Sequence, residues 1–236
     1  AIKNPERNNE RIMQQIQKDF KLKDLPRHME CFDNSNIQGT NPVSACVVFR
    51  DAKPSKKDYR HFNIKTVEGP NDFASMEEVV YRRYKRMLDE GQSLPNLIVI
   101  DGGKGQLSSA LTALEQLGLR GKVAIVGIAK KLEEIFFPGD SFPIYLDKRS
   151  ESLKVIQHMR NEAHRFGITH HRSRRSKGSL VSELEEVPGV GPKTFEKLMQ
   201  QFKTVSKIKE ASLDSLAAIV GQAKAKTVFD YFNTKK

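Results

Sequence analysis

The sequence feature that most limits the fold is a run of four aliphatic residues, Leu97-Ile98-Val99-Ile100, which ends at Asp101-Gly102-Gly103. A strand that is apolar at every position, rather than at alternate positions, is typical of a strand buried on both faces. Helices must then cover both faces of the sheet, so this run predicts a layered α/β architecture. Residues 123–128 repeat the pattern and predict a second strand of this kind.

The remaining segments predict the order of the elements. Residues 29–33, 44–49 and 59–66 read as three strands of an antiparallel meander. Helices are predicted over 73–87, 107–117 and 153–166, and a β-hairpin over 135–146. The order of three strands, helix, strand, helix, strand, hairpin and helix predicts a ribonuclease H-like (RNase H-like) mixed β-sheet flanked by helices. On order alone, other α/β folds stay open.

Composition shifts divide the chain into four segments. Residues 1–26 are polar with a helical period and predict an N-terminal linker or helix. Residues 27–166 form the predicted α/β domain, and residues 167–180 hold several basic side chains and no acid, which indicates a basic linker. Residues 181–236 predict a small all-α domain of about five short helices.

Charge and composition narrow the class of protein. The 236 residues carry a formal net charge of +11, which favours polyanions such as nucleic acid. No apolar run reaches the length that spans a bilayer, so no membrane partner is expected. Two cysteines, Cys31 and Cys46, are too few for a disulfide framework and suit a reducing cytoplasm. Because the chain begins with Ala1, we expect a fragment of a longer protein.

Two aspartates stand at the ends of predicted strands. Asp33 closes the first strand and Asp101 closes the buried aliphatic strand, where α/β sheets place their binding sites. If the two strands are neighbours, the carboxylates meet and can hold Mg²⁺ or Mn²⁺, which prefer oxygen ligands. Each aspartate taken alone is also an ordinary way to begin a turn.

Two further motifs in the α/β domain are candidates for chemistry. Asp101-Gly-Gly-Lys-Gly-Gln106 brings Lys104 to a helix N-terminus, which favours phosphate, but it lacks the P-loop pattern and is a weak nucleotide signal. His164 shares a helix face with Arg160 and can bind a metal or transfer a proton; a structural histidine is the alternative. The helix over 73–87 has a basic outer face, formed by Arg82, Arg83, Lys85 and Arg86.

The C-terminal segment contains a helix-hairpin-helix motif, Val187-Pro-Gly-Val-Gly-Pro-Lys-Thr194. Its tight turn at Gly189 and Gly191 presents backbone N–H groups to a DNA phosphate, and Lys193 adds charge. A degenerate copy follows, with Gly221 and Lys224 in the matching places. We expect non-specific binding to double-stranded DNA, helped by Arg172, Arg174, Arg175 and Lys104.

These motifs together resemble the C-terminal half of the UvrC family, the incision subunit of bacterial nucleotide excision repair. The resemblance rests on Glu30-Cys-Phe-Asp-Asn-Ser-Asn-Ile-Gln-Gly39, Val99-Ile-Asp-Gly-Gly-Lys-Gly-Gln106, Arg160-Asn-Glu-Ala-His-Arg-Phe166 and the helix-hairpin-helix tail. It covers roughly residues 27 to 232. It implies an RNase H-like endonuclease domain that makes the 5′ incision beside a lesion, followed by a tandem helix-hairpin-helix domain.

The resemblance also implies roles for individual residues. Asp33, Asp101 and His164 would be catalytic and hold Mg²⁺ or Mn²⁺, with Asp72 and Glu162 in support. Asn161 departs from the family, which commonly has Asp there, and Asn34 replaces a more usual apolar residue. The family's N-terminal nuclease domain and its segment for the helicase subunit (UvrB) are not in this sequence.

Two other functional classes stay open at this stage. A catalytically inactive DNA-binding or scaffold module would use the same basic surface and hairpins, and Asn161 favours it. A nucleotide-binding protein would use the glycine loop at Gly102-Gly103, but the missing Lys-Ser/Thr signature disfavours it.

Overall fold

The computed structural model of the protein describes residues 5–35, 42–67, 71–129, 134–185 and 187–233. The chain divides into two compact units, Ala1–His170 and His171–Lys236. Among the described residues, no helix is long and apolar enough to cross a membrane.

The first unit contains one seven-stranded mixed sheet. Its order is β3-β2-β1-β5-β6-β7, and β4 also pairs with β2. The parallel pairs are β1 with β5 and β5 with β6, while all other pairs are antiparallel. The strands are β1 His28–Ser35, β2 Val43–Arg50, β3 Lys53–Pro54, β4 Arg60–Asn63, β5 Leu97–Asp101, β6 Ala124–Ala129 and β7 Glu134–Phe136. The predicted RNase H-like mixed sheet is confirmed.

Helices cover both faces of this sheet, as the aliphatic strands require. The four helices that contribute are α1 Pro5–Asp19, α2 Asp72–Asp89, α3 Gly103–Gln116 and α4 Glu151–Glu185. α2 and α3 pack on one face against Phe32, Ile98 and Ile100. α1 and α4 pack on the other face against Cys31 and Val99. Odd-numbered residues of β1 and β5 therefore face α4, and even-numbered residues face α2 and α3.

Two segments differ from the sequence-based expectation. The N-terminal helix α1 buries Ile16 in the core of the first unit, and Phe20, directly after the helix, is buried there too, so this segment is more than a leading linker. Helix α4 does not end at Phe166 but continues to Glu185, through the predicted basic linker. The segment contains no proline, and its many Arg and Lys residues are good helix formers. The domain boundaries predicted at residues 26, 166 and 180 stay predictions.

The second unit is helical, as predicted. It contains α5 Pro192–Phe202, α6 Val205–Glu210, α7 Leu213–Val220 and α8 Gln222–Asn233. The four helices share a small core that includes Leu198, Ile208, Leu216 and Val228. Pro192 begins α5 directly after Gly191, which suits the first turn because proline lacks the N–H that would be left unbonded there.

Candidate active site

Two buried carboxylates lie side by side at one edge of the sheet. β1 and β5 are parallel neighbours with Cys31 opposite Val99 and Phe32 opposite Ile100. The next residue along each strand is Asp33 in β1 and Asp101 in β5. Both have odd numbers and therefore face α4. Their exposed fractions are 2% and 4%. The two strands are neighbours, as the placement of the aspartates required, and both carboxylates are largely removed from water.

His164 approaches this edge from α4. Ile156, Met159 and Ala163 anchor α4 on the sheet, and His164 then lies next to the carboxyl ends of the strands. Its Nδ1 is 3.1 Å from Oδ2 of Asp33. An ionised carboxylate can only accept, so Nδ1 of His164 is the donor in this contact. In the neutral imidazole this arrangement leaves Nε2 as the nitrogen that can accept a proton or bind a metal.

A cleft of about 230 Å³ opens beside these groups. It is lined by Asp101, Arg160, Asn161 and His164. Asn161, the departure from the family pattern, therefore lies in the cleft itself. Arg160 brings a positive charge to the same cleft, on the helix face that it shares with His164.

Cys31 lies beneath the carboxylates and takes no part as a nucleophile. Burial raises the pKa of its thiol well above the ordinary value, and the negative charges of Asp101 and Asp33 raise it further. The thiol therefore stays protonated and serves as a small apolar residue of the core.

The donor atoms in this region fit a divalent cation that keeps part of its water shell. Two carboxylates supply oxygen ligands, which Mg²⁺ and Mn²⁺ prefer, and one histidine nitrogen lies beside them. Within the described part of the chain, no group of three or more His, Cys, Asp or Glu side chains is placed to hold a metal ion. A site of this composition leaves coordination positions for water and a phosphate oxygen.

The two predicted supporting acids lie in different surroundings. Asp72 is the exposed first residue of α2, and its backbone carbonyl accepts a hydrogen bond of 2.9 Å from Nδ2 of Asn34. This bond ties the start of α2 to the end of β1. Asn71, rather than Asp72, caps the helix by accepting from the N–H of Ala74.

Glu162 is held by neighbours outside the cleft lining. Two hydrogen bonds from Arg165 and one of 2.9 Å from the Tyr59 hydroxyl engage its carboxylate. Arg165 first, and Tyr59 with it, lower the pKa of Glu162 to about 2. These contacts connect α4 to the residue that precedes β4, 103 positions away. The contact between Tyr59 and Glu162 could not be predicted from the sequence, because no local pattern connects two residues 103 positions apart.

The glycine loop after Asp101 has a packing explanation. Gly102 has a φ of 154°, and a Cβ there would lie 2.3 Å from Cγ of Gln106. On the neighbouring strand, a Cβ on Gly127 would lie 3.0 Å from the carbonyl oxygen of Gly103. The glycines therefore allow α3 to start close to β6, which weakens the nucleotide-binding alternative. Lys104 is exposed at the start of α3, as its predicted role requires.

The helix-hairpin-helix residues occupy two equivalent turns of the second unit. Gly189 and Gly221 have positive φ values of 81° and 83°, and Gly191 lies directly before α5. Lys193 is exposed, and Nζ of Lys224 donates to Oγ1 of Thr194 at 3.3 Å, which links the first turns of α5 and α8. The side chains of Arg172, Arg174 and Arg175 lie outside the described residues.

The fold places the first unit in the RNase H-like class and the second among small helical units with helix-hairpin-helix turns. A family model described as the UvrC RNAse H endonuclease domain matches residues 17–168, and one described as a SAM-like helix-hairpin-helix tandem matches residues 181–231. The chain belongs to the UvrC family.

Curated relatives agree with this assignment. "UvrABC system protein C" of Flavobacterium johnsoniae is 66% identical over 233 residues, which are 99% of this chain and 39% of that protein. The protein of the same name from Bacteroides fragilis is 46% identical over 229 residues, 95% of this chain and 37% of that protein. The chain thus spans well under half the length of these relatives.

Among solved structures, endonuclease V of Ciona intestinalis in complex with an inosine-containing DNA shares 18% identity. The match covers 66% of this chain and 68% of that one, with a TM-score of 0.33. A likeness this low supports no argument.

Proposed function

We propose that this chain is the part of an excision-repair nuclease that makes the 5′ incision, by Mg²⁺- or Mn²⁺-dependent hydrolysis of one phosphodiester in the damaged strand. The observation that supports the proposal is the placement of Asp33, Asp101 and His164 at one edge of the sheet, with Asp33 and His164 in contact at 3.1 Å. In this proposal the three residues are catalytic: Asp33 and Asp101 hold the cation, and His164 either completes its coordination or transfers a proton, with Asp72 and Glu162 in support.

The side chains have separate tasks in the proposed reaction. Asp33 holds the Nδ1–H of His164, so that Nε2 can accept the proton of the attacking water. Arg160 lines the cleft with a positive charge that attracts the phosphate. Asp33 and Asp101 would hold Mg²⁺ or Mn²⁺, and the bound cation would supply the charge that lowers the pKa of water and stabilises the leaving oxygen. In-line displacement leaves 3′-hydroxyl and 5′-phosphate ends.

In this proposal the second unit binds the backbone of double-stranded DNA. The turns at Gly189–Gly191 and Gly221 present N–H groups at the starts of α5 and α8, and Lys193 and Lys224 lie beside them. Contacts of this kind bind phosphates without reading sequence. We further propose a cytoplasmic protein that works with the UvrB helicase subunit, contacted mainly through parts of the family outside this chain.

Replacing Asp101 with Asn tests the proposed chemistry. The amide keeps the size of the side chain but removes its charge, so we expect no measurable nicking of a damaged or pre-nicked duplex, with DNA affinity near the wild-type value. Asp140→Asn, an exposed position in the turn that follows β7, is the matched control and should nick normally. Wild-type nicking by Asp101→Asn would refute the site.

A second candidate function is a DNA-binding module without nuclease activity. Asn161 favours it, because this neutral side chain lines the cleft where the family commonly has an aspartate. The wild-type chain would then bind duplex DNA but fail to nick it at any concentration of Mg²⁺ or Mn²⁺.

A further inference from the structure

A large groove of the first unit lies at the end of the sheet opposite the candidate active site. Its volume is about 600 Å³, and its lining includes the starts of β5 and β6, the segment that follows α1, and Phe137 and Pro138. We call it the β6 groove. β5 begins at Leu97, which lines the groove, and ends at Asp101, so the groove and the acidic cleft are about 13 Å apart along this strand.

Strand β6 has an open edge in this groove. β7 pairs with β6 only as far as Gly127, which lies opposite Phe136. Continuing this register by two residues would bring Pro138 opposite Ile125, and proline has no N–H to donate to the ladder. Among the described residues, no strand pairs with β6 on this side before Gly127, so the first half of β6 is an edge.

The backbone of Ile125 points towards this open edge. Successive residues of a strand between two neighbours direct their N–H and C=O groups to alternate sides. The carbonyl of Ile128 accepts from the N–H of Gly102 at 3.0 Å, so the even-numbered residues of β6 are bonded to β5. Ile125, and Val123 directly before the strand, therefore direct their backbone groups to the other side, and both residues line the groove. They offer two donors and two acceptors to an added strand.

The walls beside this edge are apolar on both faces of the sheet. Leu111 and Leu114 of α3 line the groove on one face, and Phe20 and Leu22, which follow α1, line it on the other. A strand added to β6 would direct alternate side chains into these two walls. Apolar residues therefore suit the added strand at every position, as they do in a strand that is buried on both faces.

The charged residues that line the groove are mostly basic. Four exposed cations contribute to the lining, against one acid, Asp24; the cations are Lys21, Lys23, Arg120 and Lys122. Carboxylates on an incoming segment would complement this charge. Nucleic acid fits less well, because the walls are aliphatic and an edge with alternating donors and acceptors matches a peptide backbone.

We propose that the β6 groove binds an extended segment of a partner protein as an additional strand on β6. The segment has three or four apolar residues flanked by Asp or Glu. In this binding mode, main-chain hydrogen bonds supply affinity and the side-chain pockets supply specificity. The proposal does not depend on the proposed nuclease chemistry, because the groove and the cleft lie at opposite ends of the parallel strands.

The first test uses a fluorescein-labelled peptide, Asp-Glu-Val-Ile-Val-Glu-Asp, and measures its fluorescence anisotropy with the full chain. We expect saturable binding, and about fivefold weaker binding to Lys122→Glu, the equivalent of one exposed ion pair of about 1 kcal/mol. Lys53→Glu is the matched control, because Lys53 is also exposed but lies in β3, at the other edge of the same sheet. The same peptide with Lys in place of each acid should bind weakly.

The second test asks whether the peptide binds as a strand. Methylating the peptide's backbone nitrogens one at a time should weaken binding about tenfold at alternate positions, where the N–H faces β6, and have little effect between them. The peptide should also slow hydrogen exchange of the N–H of Ile125. Absence of binding, equal effects at every methylated position, or unchanged exchange at Ile125 would overturn the proposal. So would a Lys122→Glu variant that loses affinity for duplex DNA in EDTA but not for the peptide.

Discussion

Tyr59 offers a direct test of how the active-site helix is held. Its hydroxyl donates to Glu162 on α4, and its ring packs edge-on against Phe166 at 5.1 Å between centroids. Burial, together with the bond to Glu162, raises the pKa of Tyr59, so the phenol keeps the hydrogen that it donates. His164 lies between these two contact points on the same helix.

Tyr59→Phe removes this hydrogen bond and leaves the ring contact in place. Hydrogen bonds to charged groups are worth about 1.5–3 kcal/mol, but Glu162 keeps both bonds from Arg165, so we expect a loss of about 1 kcal/mol in the free energy of unfolding at pH 7. We also expect slower nicking with unchanged DNA affinity, because the helix turn that carries His164 loses an anchor. Urea unfolding and single-turnover nicking measure the two effects.

The pKa of Glu162 also predicts the direction in which this stability difference changes with pH. The pKa of Glu162 is about 2 in the folded chain and 4.5 as the ordinary value, so its stabilising contribution is present above pH 4.5 and disappears as the pH falls towards 2. The difference between wild type and Tyr59→Phe should therefore be largest near pH 7 and shrink in acid.

Tyr145→Phe is the matched control for this experiment. Its hydroxyl also donates to a glutamate, Glu134, at 2.8 Å, but the residue is 61% exposed. We expect almost no change in stability or nicking from this variant. Equal effects of the two substitutions, or a Tyr59→Phe effect that does not vary with pH, would refute the reasoning.

Two further predictions concern the framework of the first unit. Glu30→Gln should cost about 3–5 kcal/mol in urea unfolding, because it leaves the largely buried Arg83 without its charged partner; a cost below about 1 kcal/mol would contradict the buried ion pair. Gly102→Ala should cost more in thermal unfolding than Gly139→Ala. Both glycines have positive φ, but a Cβ on Gly102 lies 2.3 Å from Gln106, whereas a Cβ on Gly139 meets no atom within 4 Å. Equal costs would show that the positive φ alone, and not the contact with Gln106, determines the loss of stability.

The parts of the site that sequence predicts are those governed by local rules. The aliphatic run before Asp101 predicts a buried strand, and the rule that α/β sheets bind ligands at strand ends then singles out this aspartate. Asp33 follows from the same rule once β1 and β5 are neighbours. His164 follows from the helical period of α4, which places it one position after the buried Ala163.

Contacts between distant segments could not be predicted in this way. The sequence pattern assigns Arg83 to a solvated helix face, because nothing near it reveals that Glu30, 53 positions earlier, is buried opposite it. Tyr59 and Glu162 are 103 positions apart and belong to different elements. The prediction that α4 ends at Phe166 was wrong, because the helix continues to Glu185. A run of Arg, Lys and Ser has the same composition in a linker as in an exposed helix.

The register of β1 connects the two surfaces of this unit. Cys31 and Asp33 face α4, while Glu30 and Asn34 face α2, where they hold Arg83 and the start of the helix. A slip of one residue would exchange these two sets, because side chains alternate with a period of two. It would put Asn34 in the place of Asp33 and bury Cys31 where Glu30 binds its arginine. The buried ion pair between Glu30 and Arg83 therefore helps to fix the register that brings Asp33 beside Asp101.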